Sequence, residues 1–211
     1  SEHRRELMYD LLSVSDLDES FAPGSSLLLA DTGGADIAGW LFTLLADGLE
    51  DGEGAVVVAL DRSATTVLDH LDGGEAVCVI DCAGTDRTQR TLDDGTFVYS
   101  VGSPDDLTGI GIGLTACFES LRAAGYDRSR VGLLSLTPIL DATGQKAAFK
   151  FGHVVASRLE TAGFLGMFGL GQPYSPEAKR ILMEAFDRTI ELRGTAAGVE
   201  GRIQHRRESP G

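Results

Sequence analysis

The chain has 211 residues, of which 43% are hydrophobic, and carries a formal net charge of −14 with a sequence pI of about 4.6. That length suits one α/β domain with a sizeable core, and the apolar content excludes a disordered polar chain. The charge argues against nucleic-acid binding, whose affinity rests on neutralising phosphates with Lys and Arg, and no apolar run approaches the ~20 residues that cross a bilayer.

Residues 1–23 read as a lead-in, helical around Leu7, Leu11 and Leu12 and polar from Ser15 to Ser20. Pro23-Gly24 is a turn that launches a strand over 26–30. A helix over 36–50 follows, with Trp40, Leu41, Leu44 and Leu45 at helical spacing and a stop at Asp51-Gly52. The uninterrupted β-branched run 55–60 is a strand buried on both faces, 63–71 a short helix broken by Gly73-Gly74, and 76–80 a third strand. Residues 82–95 are polar with little periodicity and read as a surface loop. A fourth strand over 96–101 leads to a helix opened by Ser103-Pro104-Asp105-Asp106 and running to about Ala124. A strand over 131–136, a long helix over 144–162, a strand over 164–169 and a helix capped by Ser175-Pro176-Glu177 and ending at Phe186 continue the alternation. Residues 188–192 close the sheet, and the chain over 195–211 turns polar and basic, the pattern of a frayed tail. Strands alternating with helices over a core at 24–194 predict a mostly parallel sheet with helices on both faces, a three-layer α/β/α domain.

Cys78, Cys82 and Cys117 are an odd number, and no secretory signal is legible, so a reducing, cytoplasmic setting is expected. Cys78-Val79-Ile80-Asp81-Cys82 is not a C-x-x-C spacing and no second ligand pair follows. The cysteines therefore read as buried packing residues, and no metal is expected. Lys146, Lys150 and Lys179 are the only lysines. An acidic, lysine-poor surface keeps a protein soluble in a salt-rich cytosol; a GC-rich genome with an acidic product would give the same composition.

The chemistry, if any, belongs to the first strand–loop–helix. An apolar run ends in Asp31-Thr32-Gly33-Gly34-Ala35-Asp36-Ile37-Ala38 before the first helix. The layout is that of a phosphate-binding loop, G-x-x-x-x-G-K-[ST], yet Asp31 and Asp36 fall on the two Gly positions, Ile37 on the Lys and Ala38 on the Ser/Thr. Neither Ile37 nor Ala38 can reach a phosphate or hold Mg²⁺. A carboxylate near a polyanion adds repulsion of roughly 3 kcal/mol per charge pair at about 5 Å and an effective dielectric near 20. Asp36 reads instead as the N-cap of the following helix, accepting the N–H groups that would otherwise attract an anion.

Beyond the loop, the sequence carries Pro23-Gly24-Ser25 before the first strand and Gly48-Leu49-Glu50-Asp51-Gly52-Glu53 after the first helix. Later come Arg130-Val131 opening a strand, a helix over 149–159, and Phe186-Asp187-Arg188-Thr189-Ile190-Glu191-Leu192. In this order and spacing, over roughly 7–193, the chain resembles the KaiC-like branch of the RecA-type ATPase superfamily, and among these the acidic proteins of halophilic archaea. The resemblance implies a RecA-like fold. It also places Asp61-Arg62 where the family carries the Glu-Glu pair that activates water, and Leu134, followed by Ser135, where the Walker B Asp should stand. Lysine, threonine, glutamate and aspartate of one mechanism are absent together, so the resemblance implies a chain that no longer hydrolyses ATP and needs no cofactor.

Asp31, Asp61 and Asp81 occupy strand-end positions, where α/β proteins bind ligands. As a set they would suit a cation; as solvated turn residues of an acid-rich chain they need none, and the second reading is taken. His153, among Phe151, Val154 and Val155, reads as a packing histidine, and Ser135 lacks a G-x-S-x-G context. Gly109, Gly111 and Gly113 fall within a helix and fail the context of a dinucleotide fingerprint. The expected function is a non-catalytic regulator or scaffold, assembling with itself or with an active KaiC-like ATPase. The alternatives are a ligand or nucleotide sensor using a remodelled pocket at Asp31–Ala38, Asp61, Arg62, Asp81, Leu134 and Ser135, or an unconventional ATPase. No membrane or nucleic-acid partner is expected.

Overall fold

Strands that are apolar on both faces must be covered on both sides, and this requirement sets the architecture. The computed structural model describes residues 7–204. In chain order the elements are β1 (Tyr9–Asp10), β2 (Ser20–Phe21), β3 (Ser26–Gly33), α1 (Ile37–Glu50), β4 (Gly54–Ala59), α2 (Ala64–Leu68), β5 (Val77–Asp81), β6 (Thr88–Thr91), β7 (Phe97–Ser100), α3 (Leu107–Ala123), β8 (Ser129–Leu133), α4 (Thr137–Ala162), β9 (Leu165–Leu170), α5 (Pro176–Ala185), β10 (Arg188–Thr195) and β11 (Gly198–Gln204). A nine-stranded sheet runs in the order β11-β10-β3-β9-β8-β4-β5-β7-β6. Its inner pairings are all parallel, and β11 and β6 join antiparallel at the two edges.

The right-handed rule for parallel crossovers assigns the helices to faces. The connections through α1 and α2 step toward β5, and those through α3, α4 and α5 step the other way. The first pair therefore covers one face and the other three cover its opposite. Alternating strand residues agree: Leu27, Leu29 and Val57 pack with Leu41, Leu44 and Val67 of α1 and α2, whereas Leu28, Val56 and Val58 pack with Leu114, Val155, Leu159 and Leu182. The expected three-layer α/β/α domain is the fold observed.

The differences lie at the polar margins. The lead-in is not helical in its described part: Tyr9–Asp10 and Ser20–Phe21 pair antiparallel, and Tyr9, Leu11, Val14 and Phe21 are buried over the α1 face. Residues 88–91 are not loop but edge strand β6, every side chain exposed, so no apolar alternation marked it. Residues 198–204 are not a frayed tail but edge strand β11, whose outer side meets Ser15 through Ser15 N to the Val199 carbonyl at 3.2 Å and Gly201 N to the Ser15 carbonyl at 2.9 Å. His205, Arg206 and Arg207 lie outside the described residues. The long helix begins at Thr137 and is broken at Gly144, whose φ of 83° admits glycine without strain. Pro104 and Asp105 precede α3, which Asp106 caps.

Two segments separated in sequence meet at the N-terminal edge of the parallel strands. Arg130, 2% exposed, donates from Nε to Glu53 Oε2 at 2.9 Å and from its terminal nitrogens to Glu53 Oε1, the Leu44 carbonyl and the Asp10 carbonyl at 3.3, 2.9 and 3.2 Å. The guanidinium thereby joins the lead-in, the last turns of α1, the turn after it and β8. A Cβ on Gly48 would lie 2.8 Å from Arg130 Nε, so only glycine lets this side chain pass. Beside it the Tyr9 hydroxyl donates to the Gly163 carbonyl at 3.1 Å and accepts from Ser129 N at 3.2 Å, with Arg128 stacked on its ring.

Candidate functional site

The strand expected to stop at Ala30 continues to Gly33, because β10 offers it a partner: Asp31 pairs with Leu192 and Gly33 with Arg193, with a bulge between. The first part of the 31–38 window is therefore sheet, and Gly34, Ala35 and Asp36 alone bridge to α1. Gly34 turns the chain with a φ of 73°. A Cβ on Gly33 would lie 2.9 Å from Arg193 Cγ, so this glycine is needed for the approach of β10 and not of a phosphate.

Asp31 is 7% exposed, and its Oδ1 accepts from Gly33 N and from Ala35 N, both at 2.9 Å. These are backbone donors of the kind that a phosphate loop aims at its anion; here the chain's own carboxylate takes them. The Asp31 carbonyl accepts from the Tyr174 hydroxyl at 2.6 Å and from Gln172 Nε2 at 3.2 Å, which fastens the loop to the β9–α5 connection. The Thr32 hydroxyl donates to the Leu192 carbonyl at 3.3 Å. Asp36 caps α1 as expected, accepting from Gly39 N at 3.1 Å. Ile37 is buried in the α1-side core, with its Cγ2 2.8 Å from where a Cβ on Gly169 would stand, and Ala38 is half-buried against the same core.

The remaining candidates share this C-terminal edge but not one pocket. The sheet order puts β9 and β8 between the strand of Asp31 and that leading to Asp61, and one further strand separates Asp81. At about 4.8 Å per strand, Asp31 and Asp81 stand roughly 19 Å apart, so the three aspartates do not converge. Asp81, 7% exposed, is committed locally: Oδ2 accepts from Ala64 N at the start of α2 at 2.8 Å, and Oδ1 accepts from Ala83 N at 2.9 Å. Asp61 is half-exposed and pairs with Arg62 at 3.5 Å. Leu134 is buried, its N–H donating to the Val58 carbonyl at 3.1 Å, and Ser135 Oγ accepts from Thr137 N at 3.3 Å. Among the described residues no group of three or more His, Cys, Asp and Glu is placed to hold a metal ion. A crevice of about 630 Å³ on the β10–β11 side touches the 31–38 window at Thr32 alone.

Other singled-out residues find packing roles. Gly111 and Gly113 admit Arg158 and Tyr99 to the surface of α3, within 3.0 and 2.8 Å of a hypothetical Cβ. His153, expected to pack among Phe151, Val154 and Val155, is instead exposed and stacks on Phe149 with centroids 6.1 Å apart. All three cysteines are buried thiols. Burial, then the carboxylates of Asp81 and Asp106, push Cys82 from 9.0 to about 12, and burial raises Cys117 with help from Cys78. The Gly109 N–H and then the Arg87 guanidinium hold the Asp106 carboxyl below its usual range. Sequence reasoning missed Tyr174, Gln172 and Arg193, whose only signal is their position at the ends of neighbouring strands.

These observations define a three-layer α/β protein whose strand–loop–helix corner is filled by an aspartate of its own chain. The chain belongs to the family described as Family of unknown function (DUF7504), matched over residues 24–192. No curated protein matches the sequence. No helix among the described residues is long and apolar enough to cross a membrane.

Proposed function

We propose that this chain is a pseudo-ATPase of RecA/KaiC-like descent, a non-catalytic regulator or scaffold that acts in the cytoplasm through protein contacts, with copies of itself or with an active KaiC-like ATPase. The observation that carries the reading is the Asp31 carboxylate on Gly33 N and Ala35 N. A nucleotide phosphate entering here must displace hydrogen bonds worth about 1.5–3 kcal/mol each, because the acceptor is charged. It must then sit beside the displaced carboxylate at a cost of roughly 3 kcal/mol at about 5 Å. Nothing at Ile37 or Ala38 offsets either cost. The commitments of Asp81 to α2 and of Leu134 to the core support the same reading, since neither is poised for a metal or a water.

Calorimetric titration of ATP and ADP with Mg²⁺, in molar KCl to screen self-repulsion, tests this. The expected result is no heat and no change in melting temperature up to millimolar nucleotide. Micromolar binding would overturn the reading and make nucleotide sensing by the 31–38 loop the function to pursue. Mg²⁺-dependent turnover abolished at Asp61 would instead establish an unconventional ATPase.

A further inference from the structure

The net charge of −14 is spread unevenly over the two faces of the sheet. Residues 7–75, which form the lead-in, β3, α1, β4 and α2, hold 14 Asp and Glu against Arg62 alone. Residues 107–188, which run from α3 to the start of β10, hold 9 Lys and Arg against 7 Asp and Glu. Some of these are internal, as in the Glu53–Arg130 pair, but the surfaces keep the contrast. Glu50, Asp51, Asp69 and Asp72 are exposed on the α1–α2 side, where neither helix carries a Lys or Arg. On the opposite face Lys146, Lys150, Val154 and Arg158 are exposed on successive turns of α4. The large exposed hydrophobic side chains of the described residues divide in the same way. Leu7 and Leu12, 43% and 84% exposed, lie on the lead-in that packs over α1, and Ile112 and Val154, 47% and 50% exposed, lie on α3 and α4. Arg158 Nη1 donates to the Gly111 carbonyl at 2.6 Å, which sets the turn of α3 that carries Ile112 against α4. A cleft of about 390 Å³ between the same two helices adds Phe118, Thr161 and Ala162, with Arg122 at its side.

We propose that the α3–α4 face is an interface for a second copy of this chain, which presents its lead-in and α1–α2 side. Lys146, Lys150 and Arg158 then face carboxylates, and Ile112 and Val154 face the exposed leucines. Charge complementarity selects this occupant, because the matching surface is on the chain itself. Pairing the acidic face with its own copy would set like charges against each other. Joining two unlike faces is a heterologous contact, which generates rings or open filaments. The inference rests on the scaffold reading for its role but not on the filled phosphate corner, and the two fail separately. Nucleotide binding would leave this interface in place, and a monomeric chain would leave an active ATPase as the remaining partner.

Sedimentation velocity of the full chain, at the lowest KCl concentration that retains the melting transition, tests it. Wild type should form species larger than a monomer whose share rises with protein concentration. That share should fall as KCl approaches about 1 M, where the Debye length is about 3 Å. Lys146→Glu with Lys150→Glu, and separately Glu50→Lys with Asp72→Lys, change exposed side chains and should each weaken self-association at least about tenfold. Each double variant keeps one unaltered face, so their equimolar mixture should form a dimer and nothing larger. A wild type that stays monomeric at near-millimolar concentration overturns the proposal. So do double variants that associate as wild type does, or a mixture that stays monomeric. Should either double variant lose its melting transition, Val154→Asp takes its place and should weaken self-association by a similar factor; unchanged association then overturns the proposal.

Discussion

The two ends of the parallel strands both bury charge, and they use it differently. At the N-terminal edge, Arg130 and Glu53 neutralise one another and bind four segments of the chain into one unit. At the C-terminal edge, where α/β proteins keep open donors for ligands, the carboxylates of Asp31 and Asp81 have no cation against them among the described residues and are committed to backbone N–H groups a few residues away or at the next helix. The first arrangement makes the fold; the second closes the corner where a ligand would have entered. A protein that needed this corner for phosphate would leave those donors free.

Replacing Glu53 by Ala should give the largest effect, since it strands the Arg130 guanidinium at 2% exposure. Breaking a buried pair costs about 3–5 kcal/mol, read as a shift of the denaturation midpoint, and a loss under about 1 kcal/mol would remove the contrast between the two edges. Asp31→Ala comes next. It leaves Gly33 N and Ala35 N without their acceptor at a cost of about 1–3 kcal/mol, and unchanged stability would show that the carboxylate does not fill the corner. At Cys82 the pKa is raised from 9.0 to about 12. The folded state therefore holds a neutral thiol, and the stability tied to it is complete below 9.0 and lost as pH rises through about 12. Alkylation at about pH 8 should spare native Cys82 and label it on unfolding; rapid native labelling would mean that the strand end beside Asp81 is open. The smallest effect is expected for Asp61→Ala, within about 0.5 kcal/mol, because an exposed ion pair contributes little.

Sequence reasoning reached the strands wherever burial is two-sided. The run Ala55-Val56-Val57-Val58-Ala59 could satisfy neither a loop nor a solvated helix, and it lies in the inner strand β4, between β8 and β5. It failed at β6 and β11, because an edge strand is fixed by the hydrogen bonds of its neighbour and its side chains are free to be polar. Asp36 was legible as a cap because its acceptor role is settled within three residues. Asp31 was legible as an obstacle to phosphate but not as the occupant of the corner, since that depends on β10 extending the strand and on Tyr174 and Gln172 arriving from far along the chain.

By itself the sequence determined the layers, the alternation and the absence of a Lys or a Ser/Thr at Ile37 and Ala38, because these follow from periodicity and residue identity at single positions. Only the tertiary structure decided that Gly48, Glu53 and Arg130 are one ion-paired joint, that the aspartates at the strand ends stand apart, and that Asp31 holds the loop's own N–H groups. Each of these is a distance between residues separated along the chain, set by which strands lie side by side, and local propensity does not encode that order.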